Sequence, residues 1–205
     1  MSSATEPRTG RRDQLLALGI RLFSEHAYDE LSMDDIAAEA GVVKGVLYYY
    51  FGSKRGFYVA AVQAAADELR SKWDVPADDL TAVERLGAGI GAYLEHAATR
   101  APGYRTLIAG GVGSDPQVRA ILDGERRLVI GRIVEALGVG DAPPALRVAL
   151  QGWLSSMEGA TLDWLDRGGL ELEQLRDLLL AMLAGALRAA AAVDPNVPSE
   201  LPQPG

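Results

Sequence analysis

Lys44, Tyr48, Tyr49, Tyr50 and Lys54 bring two ammonium groups and three phenols into one short stretch of this chain. Groups of this kind donate to anionic oxygens and offer flat aromatic faces, so they suit the holding of a phosphate backbone. Three successive tyrosines on a helix spread over about 200° of arc and cannot all be buried. At least one phenol must face outward, either toward a partner or as ordinary surface. Bond-breaking chemistry finds little support elsewhere. Cysteine is absent, so there is no thiolate nucleophile, no disulfide framework and no Cys metal site. His26 and His96 are the only histidines and have no ligand partner at helical spacing. Gly87-Ala88-Gly89-Ile90-Gly91 lacks the spacing of a dinucleotide fingerprint and follows no strand. The sequence therefore implies no enzyme, no cofactor and no metal.

The elements that must position these groups lie between Ser32 and Lys54. Ile36, Ala37 and Ala40 give a short helix one apolar face. Gly41 follows where the chain turns sharply, a position that suits a residue tolerant of positive φ. Val42 and Leu47 anchor the two sides of the turn, and a second short helix carries the tyrosines. Ser53 then caps the start of a third helix. Two helices locked by a small apolar core, with cations and phenols on the rim, are the requirements of a helix-turn-helix.

Ile36-Ala37, Ala40-Gly41-Val42, Lys44-Gly45, Leu47-Tyr48, Phe51 and Ser53-Lys54 resemble the DNA-binding domain of the TetR family of bacterial transcriptional regulators. Leu15, Leu16, Ile20, Leu22, Phe23 and Tyr28 extend the likeness upstream, so that it covers residues 11 to 60. The resemblance implies that Tyr48, Tyr49 and Lys54 meet phosphates, with Tyr50 on the same rim, and that Lys44, Gly45 and Val46 lie where bases are read. Position 43 is Val where the family commonly has Ser or Thr, which removes a helix-capping hydroxyl worth about 1 kcal/mol. Val46 replaces a common Thr and leaves a branched apolar surface able to touch a thymine methyl. Ala27 stands where Gly is usual, and Gly56 stands where Glu often completes a capping box with Ser53.

The net charge of −8 argues against a general nucleic-acid-coating protein. The excess is downstream: residues 1–60 hold 7 Lys and Arg against 8 Asp and Glu, and the remainder 13 against 20. Arg8, Arg11, Arg12, Lys44, Lys54 and Arg55 are the candidate phosphate ligands of the first part. The segment before residue 11 has no apolar core and does not read as a secretory signal. The run from Leu178 to Val193 is interrupted by Arg188 and is too short for a membrane span. The lack of cysteine fits a reducing cytoplasm.

Patterning predicts an all-α chain. A flexible arm over 1–10 precedes helices near 11–26, 33–40, 44–50 and 54–73. Further helices follow near 80–99, 103–110, 115–137, 145–167 and 171–192, separated by breaks at 74–79, 110–113 and 138–144. Asp115-Pro116 is a clear helix start. The domains expected are a DNA-reading domain over 1–52, a helical effector-binding and dimerisation domain over 53–193 with 54–73 as its connecting helix, and a tail over 194–205. That tail holds four prolines in 12 residues and reads as disordered.

Leu146, Leu150, Trp153, Met157, Ala160 and Trp164 form one stripe at helical spacing, while Gly152, Ser155, Ser156 and Gly159 form a small-residue strip on another face. Leu175, Leu179, Met182, Ala186 and Ala189 repeat the spacing in the final helix. Both faces could be intrachain core. The alternative, which the resemblance favours, is a homodimer through the last two helices, with Gly152, Ser156, Gly159, Leu175, Leu179 and Met182 at the interface. An effector site is expected among Tyr93, Tyr104, Trp153, Met157 and Glu158, a largely apolar set with few polar tips. Trp153 could equally fill the core, and Glu158 could face solvent at the edge of the stripe. The resemblance thus implies a homodimeric repressor of a palindromic duplex operator, released by a small molecule. A constitutive DNA binder and a helical protein-interaction module are the other readings, and duplex binding separates them.

Overall fold

The computed structural model describes residues 8–73, 80–109 and 115–201. The arm before residue 8, the breaks at 74–79 and 110–113, and the end of the tail at 202–205 lie outside these residues. Among the described residues the regular elements are all helical. They are α1 (Arg8–Glu25), α2 (Met33–Glu39), α3 (Lys44–Phe51), α4 (Lys54–Trp73), α5 (Ala82–Thr99), α6 (Ala101–Ala109), α7 (Pro116–Ala136), α8 (Pro144–Arg167) and α9 (Leu172–Val193), with a 3₁₀ turn at Tyr28–Glu30. No helix among them is long and apolar enough to cross a membrane.

The helix boundaries follow local chemistry. Asp115 Oδ1 accepts from the amides of Gln117 and Val118 at 2.9 and 3.4 Å, capping α7 as the Asp-Pro pair predicts. Pro144 occupies the first turn of α8, where its missing N–H costs nothing. Gly168 ends α8 at φ 66°, and the Trp164 indole donates to Leu170 O at 2.8 Å across that turn.

Packing divides the chain into two units, one of residues 1–68 and 100–121, the other of 69–99 and 122–205. This differs from the division expected at residue 52. The first half of α4 is core to the first unit: Phe57 is wholly buried, and Tyr58, Ala61 and Val62 are buried with it. The Phe23 ring meets Phe57 at 5.7 Å and Tyr58 at 4.8 Å between centroids, and Phe51 meets Phe57 at 4.7 Å. Helix α6 also belongs here because Gly103 has no side chain. A Cβ at that position would lie 2.5 Å from Ser24 Cα on α1. Burial, with the charges of Asp115 and Tyr28 adding to it, pushes the Tyr58 phenol up to about 12, so it remains neutral at any physiological pH.

The second unit packs α5 and α8 on α9. Leu146, Leu150, Trp153, Leu154 and Met157 of α8 meet Leu175, Leu179, Leu183 and Leu187 of α9, with Leu86, Ile90 and Leu94 of α5 closing the core. In the glycine cluster of α5, Gly87 and Gly89 are buried. A Cβ on Gly87 would make ordinary contact with Leu180 of α9 at 3.4 Å, so packing there does not by itself require a glycine.

The described part of the tail, residues 194–201, does not follow the disorder that the prolines of 194–205 predict. Val197 and Leu201 are 4% and 9% exposed and join the core of the second unit. Asp194 Oδ1 accepts from the Asn196 amide at 3.0 Å, and the Val197 amide donates to Asp194 O at 3.0 Å, which turns the chain back after α9. Two apolar side chains four residues apart outweigh the composition around them. Truncation after Asp194 is therefore expected to destabilise the second unit by about 2–5 kcal/mol. Chemical denaturation of the truncated chain checks this, and an unchanged midpoint would mean that the tail packs without contributing.

Candidate nucleic-acid interface

The recognition element is built from one well-capped helix, one tight turn and one short helix. At the head of α2, Ser32 Oγ accepts from the Asp35 amide at 3.1 Å while the Asp35 carboxylate accepts from the Ser32 amide at 3.0 Å. This reciprocal box satisfies two otherwise orphan donors. The bonds from Ser32 hold the Asp35 carboxyl below the usual carboxylate range. Met33, Ile36 and Ala37 are the buried face of α2. At its end Gly41 takes φ 61°, with its amide donating to Ala38 O and that of Val42 to Ala37 O at 3.1 and 3.0 Å. That pair of bonds is a Schellman stop, which requires the left-handed glycine.

Helix α3 then begins with no side-chain cap, because Val43 occupies the N-cap position. Leu47 is its single buried anchor and is fully covered. Gly52 at φ 74° ends it, and its amide donates to Tyr48 O at 2.9 Å. Ser53 Oγ accepts from the Gly56 amide at 2.9 Å, so the cap of α4 forms without a capping-box partner. Glycine at 56 has a local reason: a Cβ there would lie 2.2 Å from the Phe51 carbonyl oxygen.

Around this frame the expected contact residues keep an outer face. Tyr48 and Tyr49 are 44% and 65% exposed, and Gly45 is exposed. Tyr50 is half-buried with its ring 5.1 Å from Tyr49. Gly45, Val46, Tyr49 and Tyr50 line one shallow depression of about 540 Å³ together with Arg11, Val42 and Val43. Lys44 stands beside it, its ammonium 2.7 Å from Asp34 of α2, and that bond raises its pKa. The Lys54 ammonium lies 4.2 Å from the centre of the Tyr28 ring, a cation–π contact.

Several other cations of this unit have partners within it. Arg55, a candidate phosphate ligand in the sequence, makes a two-pronged bond to Asp115 at 2.6 and 2.9 Å. That guanidinium holds the Asp115 carboxyl below its ordinary value, and the carboxylate raises Arg55 in turn. Arg21 bonds Glu39 at 2.6 Å, and Arg12 sits 5.6 Å over the Phe51 ring. Val42 and Arg11, read in the sequence as a turn anchor and a candidate phosphate ligand, line the same depression as Val43. In the sequence Val43 counts only as a lost cap. Its signal was available, since a branched apolar residue is unusual where a hydroxyl is normally used.

The residues expected at an effector site fall in both units. Tyr104 is buried in the first unit, whereas Tyr93, Trp153, Met157 and Glu158 belong to the second. Trp153 is 4% exposed and donates from Nε1 to Leu179 O at 2.9 Å, so it ties α8 to α9. Met157 is core. Glu158 accepts from Arg126 of α7 at two atoms, each at 2.9 Å, and its charge is taken up there. Tyr93, at the edge of the core, and Glu158 are both half-buried.

The expected dimer residues split by face. Gly152, Ser156 and Gly159 are exposed on α8. Leu175 and Leu179 are buried within their own chain, at 2% and 0% exposure, because their stripe is the one that meets α8. Met182 is half-buried against the same core. The open face of α9 carries Leu178, Ala181 and Ala189 instead, one position removed around the helix.

Comparison with known proteins agrees with this geometry. Residues 15–61 match the bacterial regulatory proteins of the tetR family, and residues 82–185 match the tetracyclin repressor-like C-terminal domain. A tetR-family transcriptional regulator from Streptomyces coelicolor superposes with a TM-score of 0.85 at 30% identity, over 93% of this chain and 86% of that one. The HTH-type transcriptional activator FasR of Mycolicibacterium smegmatis is 35% identical over 118 residues, 56% of this chain and 52% of the relative. The negative transcriptional regulator of the icaADBC biofilm operon, IcaR, of Staphylococcus aureus is 38% identical over 60 residues, 29% of this chain and 32% of the relative. The matched stretch thus spans about half of FasR and a third of IcaR. With an N-terminal helix-turn-helix, a C-terminal helical domain and matches to both, the chain belongs to the TetR family of bacterial transcriptional regulators.

Proposed function

We propose that this chain is a homodimeric, sequence-specific DNA-binding repressor of a palindromic operator, released by a small-molecule effector. The observation that carries the DNA reading is the asymmetry of α3: Leu47 is fully buried while Tyr48, Tyr49 and Gly45 stay exposed beside two ammonium groups. In this reading Lys44, Gly45 and Val46 face bases, Tyr48, Tyr49 and Tyr50 flank them, and Lys54 meets phosphate. Replacing Lys54 by Ala should weaken binding to every duplex and lower the salt slope by about 1. Replacing Lys44 should instead change which duplex is preferred. Fluorescence anisotropy across a salt series reads both. A Lys54→Ala variant with altered preference and an unchanged slope would reverse the two roles.

Dimerisation is supported by the exposed small-residue strip of α8 and the apolar residues left open on α9. Leu178 is 47% exposed and Val148 63%, and small residues beside them allow close helix approach. Leu178 takes the place that Leu175 and Leu179 had in the sequence reading. Gly152 and Gly159 have nothing within 4 Å of a Cβ position, so the single chain tolerates a side chain at either. A Gly159→Arg change is therefore expected to leave thermal unfolding of the monomer intact while sedimentation shows loss of the dimer. A variant that remains dimeric removes this face from consideration.

Release by an effector is supported by connectivity. Helices α4 and α7 each contribute residues to both units, so a ligand that moves either in the second unit also acts on the first. The second unit is apolar where its helices meet, which favours an apolar or amphipathic molecule. DNA affinity would fall by the ligand's preference for the released arrangement. Molecules that raise the melting temperature should lower operator affinity in parallel. If every stabilising ligand leaves DNA affinity unchanged, the chain is a constitutive DNA binder.

A further inference from the structure

We propose that the head of α3 reads thymine methyl groups, with Val43 and Val46 as the residues that set this preference. The inference rests on the reading that the chain binds duplex DNA. Val43 is 74% exposed, the second most open large apolar side chain among the described residues. It stands at the N-cap of α3 with no side-chain hydrogen bond, at a position where a hydroxyl would stabilise the helix. A lone exposed valine would carry no message. Here Val42, Val43 and Val46 line one depression, with Gly45 between them adding no bulk. A Cβ at Gly45 would have nothing within 4 Å, so the glycine leaves open space toward any partner.

The chemistry narrows the partner's feature to one. In the major groove each base presents donors or acceptors, and thymine alone adds a C5-methyl group, where cytosine has only a C5–H. A valine can satisfy none of the polar groups and is matched only by that methyl. Arg11 and Tyr49 at the edges of the depression supply the polar contacts that valines cannot. The head of a recognition helix is also the part that contacts base edges in this mode of docking. The half-site facing α3 should therefore carry thymines whose methyl groups, and not only their base-pair hydrogen bonds, are recognised.

The test uses the full chain and a duplex selected from a random pool. Each thymine of the half-sites is replaced in turn by deoxyuridine, which removes the methyl and nothing else. Affinity is expected to fall about three- to fourfold at one or two positions per half-site, the effect of withdrawing one buried methyl. In Val43→Ser the loss at one of these positions should vanish, and in Val46→Ser the loss at the other. Wild-type affinity that is indifferent to every deoxyuridine overturns the inference, as do equal losses in wild type and both variants, while leaving DNA binding in place. Selection of no duplex overturns the DNA-binding reading, and this inference with it.

Discussion

An eight-residue helix cannot hold its shape or direction alone, and α3 is that short. Its geometry is supplied by the aromatic cluster beneath it. Phe23 of α1, Phe57 and Tyr58 of α4 and Phe51 at the end of α3 interlock with centroid separations of 4.7–5.7 Å, and Tyr28 completes the cluster 5.2 Å from Tyr58. Such rings bury large areas and favour tilted, edge-on arrangements. Removing one would affect the placement of α3 before it affected any outward-facing group. This is why the first half of α4 belongs with the DNA-reading unit and not with a connector.

The interface was legible in the sequence to the extent that its signals were local. The turn glycine Gly41, the anchor Leu47 and the cap Ser53 are signals of this kind, and the structure realises each as read. Asp115-Pro116 is of the same kind. What depends on distant partners was not legible. Glu158 is a plausible ligand anchor until Arg126, thirty-two residues away, is placed against it. The Trp153 indole could face a pocket until the Leu179 carbonyl is seen to accept from it. In α9 the inward stripe of Leu175 and Leu179 and the outward Leu178 differ by one or three positions, and periodicity alone does not say which is turned toward α8.

The charges follow one pattern in both units. Arg55 with Asp115, Arg21 with Glu39, Arg70 with Glu125 and Arg126 with Glu158 each join residues far apart in the chain. Exposed pairs of this type contribute little stability individually. Their effect here is on availability: guanidinium groups that could serve as phosphate ligands are engaged elsewhere. Each pair takes up one acidic and one basic group and leaves the net charge of −8 unchanged, while Lys54 is held over the Tyr28 ring.

Lys44 is the exception within the recognition helix, since its ammonium is already bonded to Asp34. Whatever anion it meets, it meets at the expense of that carboxylate. The free protein therefore carries a built-in decoy. In the DNA-binding reading proposed above, a bare phosphate would only exchange one oxygen for another at Lys44, whereas a site that also engages the rest of α3 would offset the loss of Asp34. The threshold that an aspartate one helix back would set against idle contacts is no larger than the worth of one exposed ion pair.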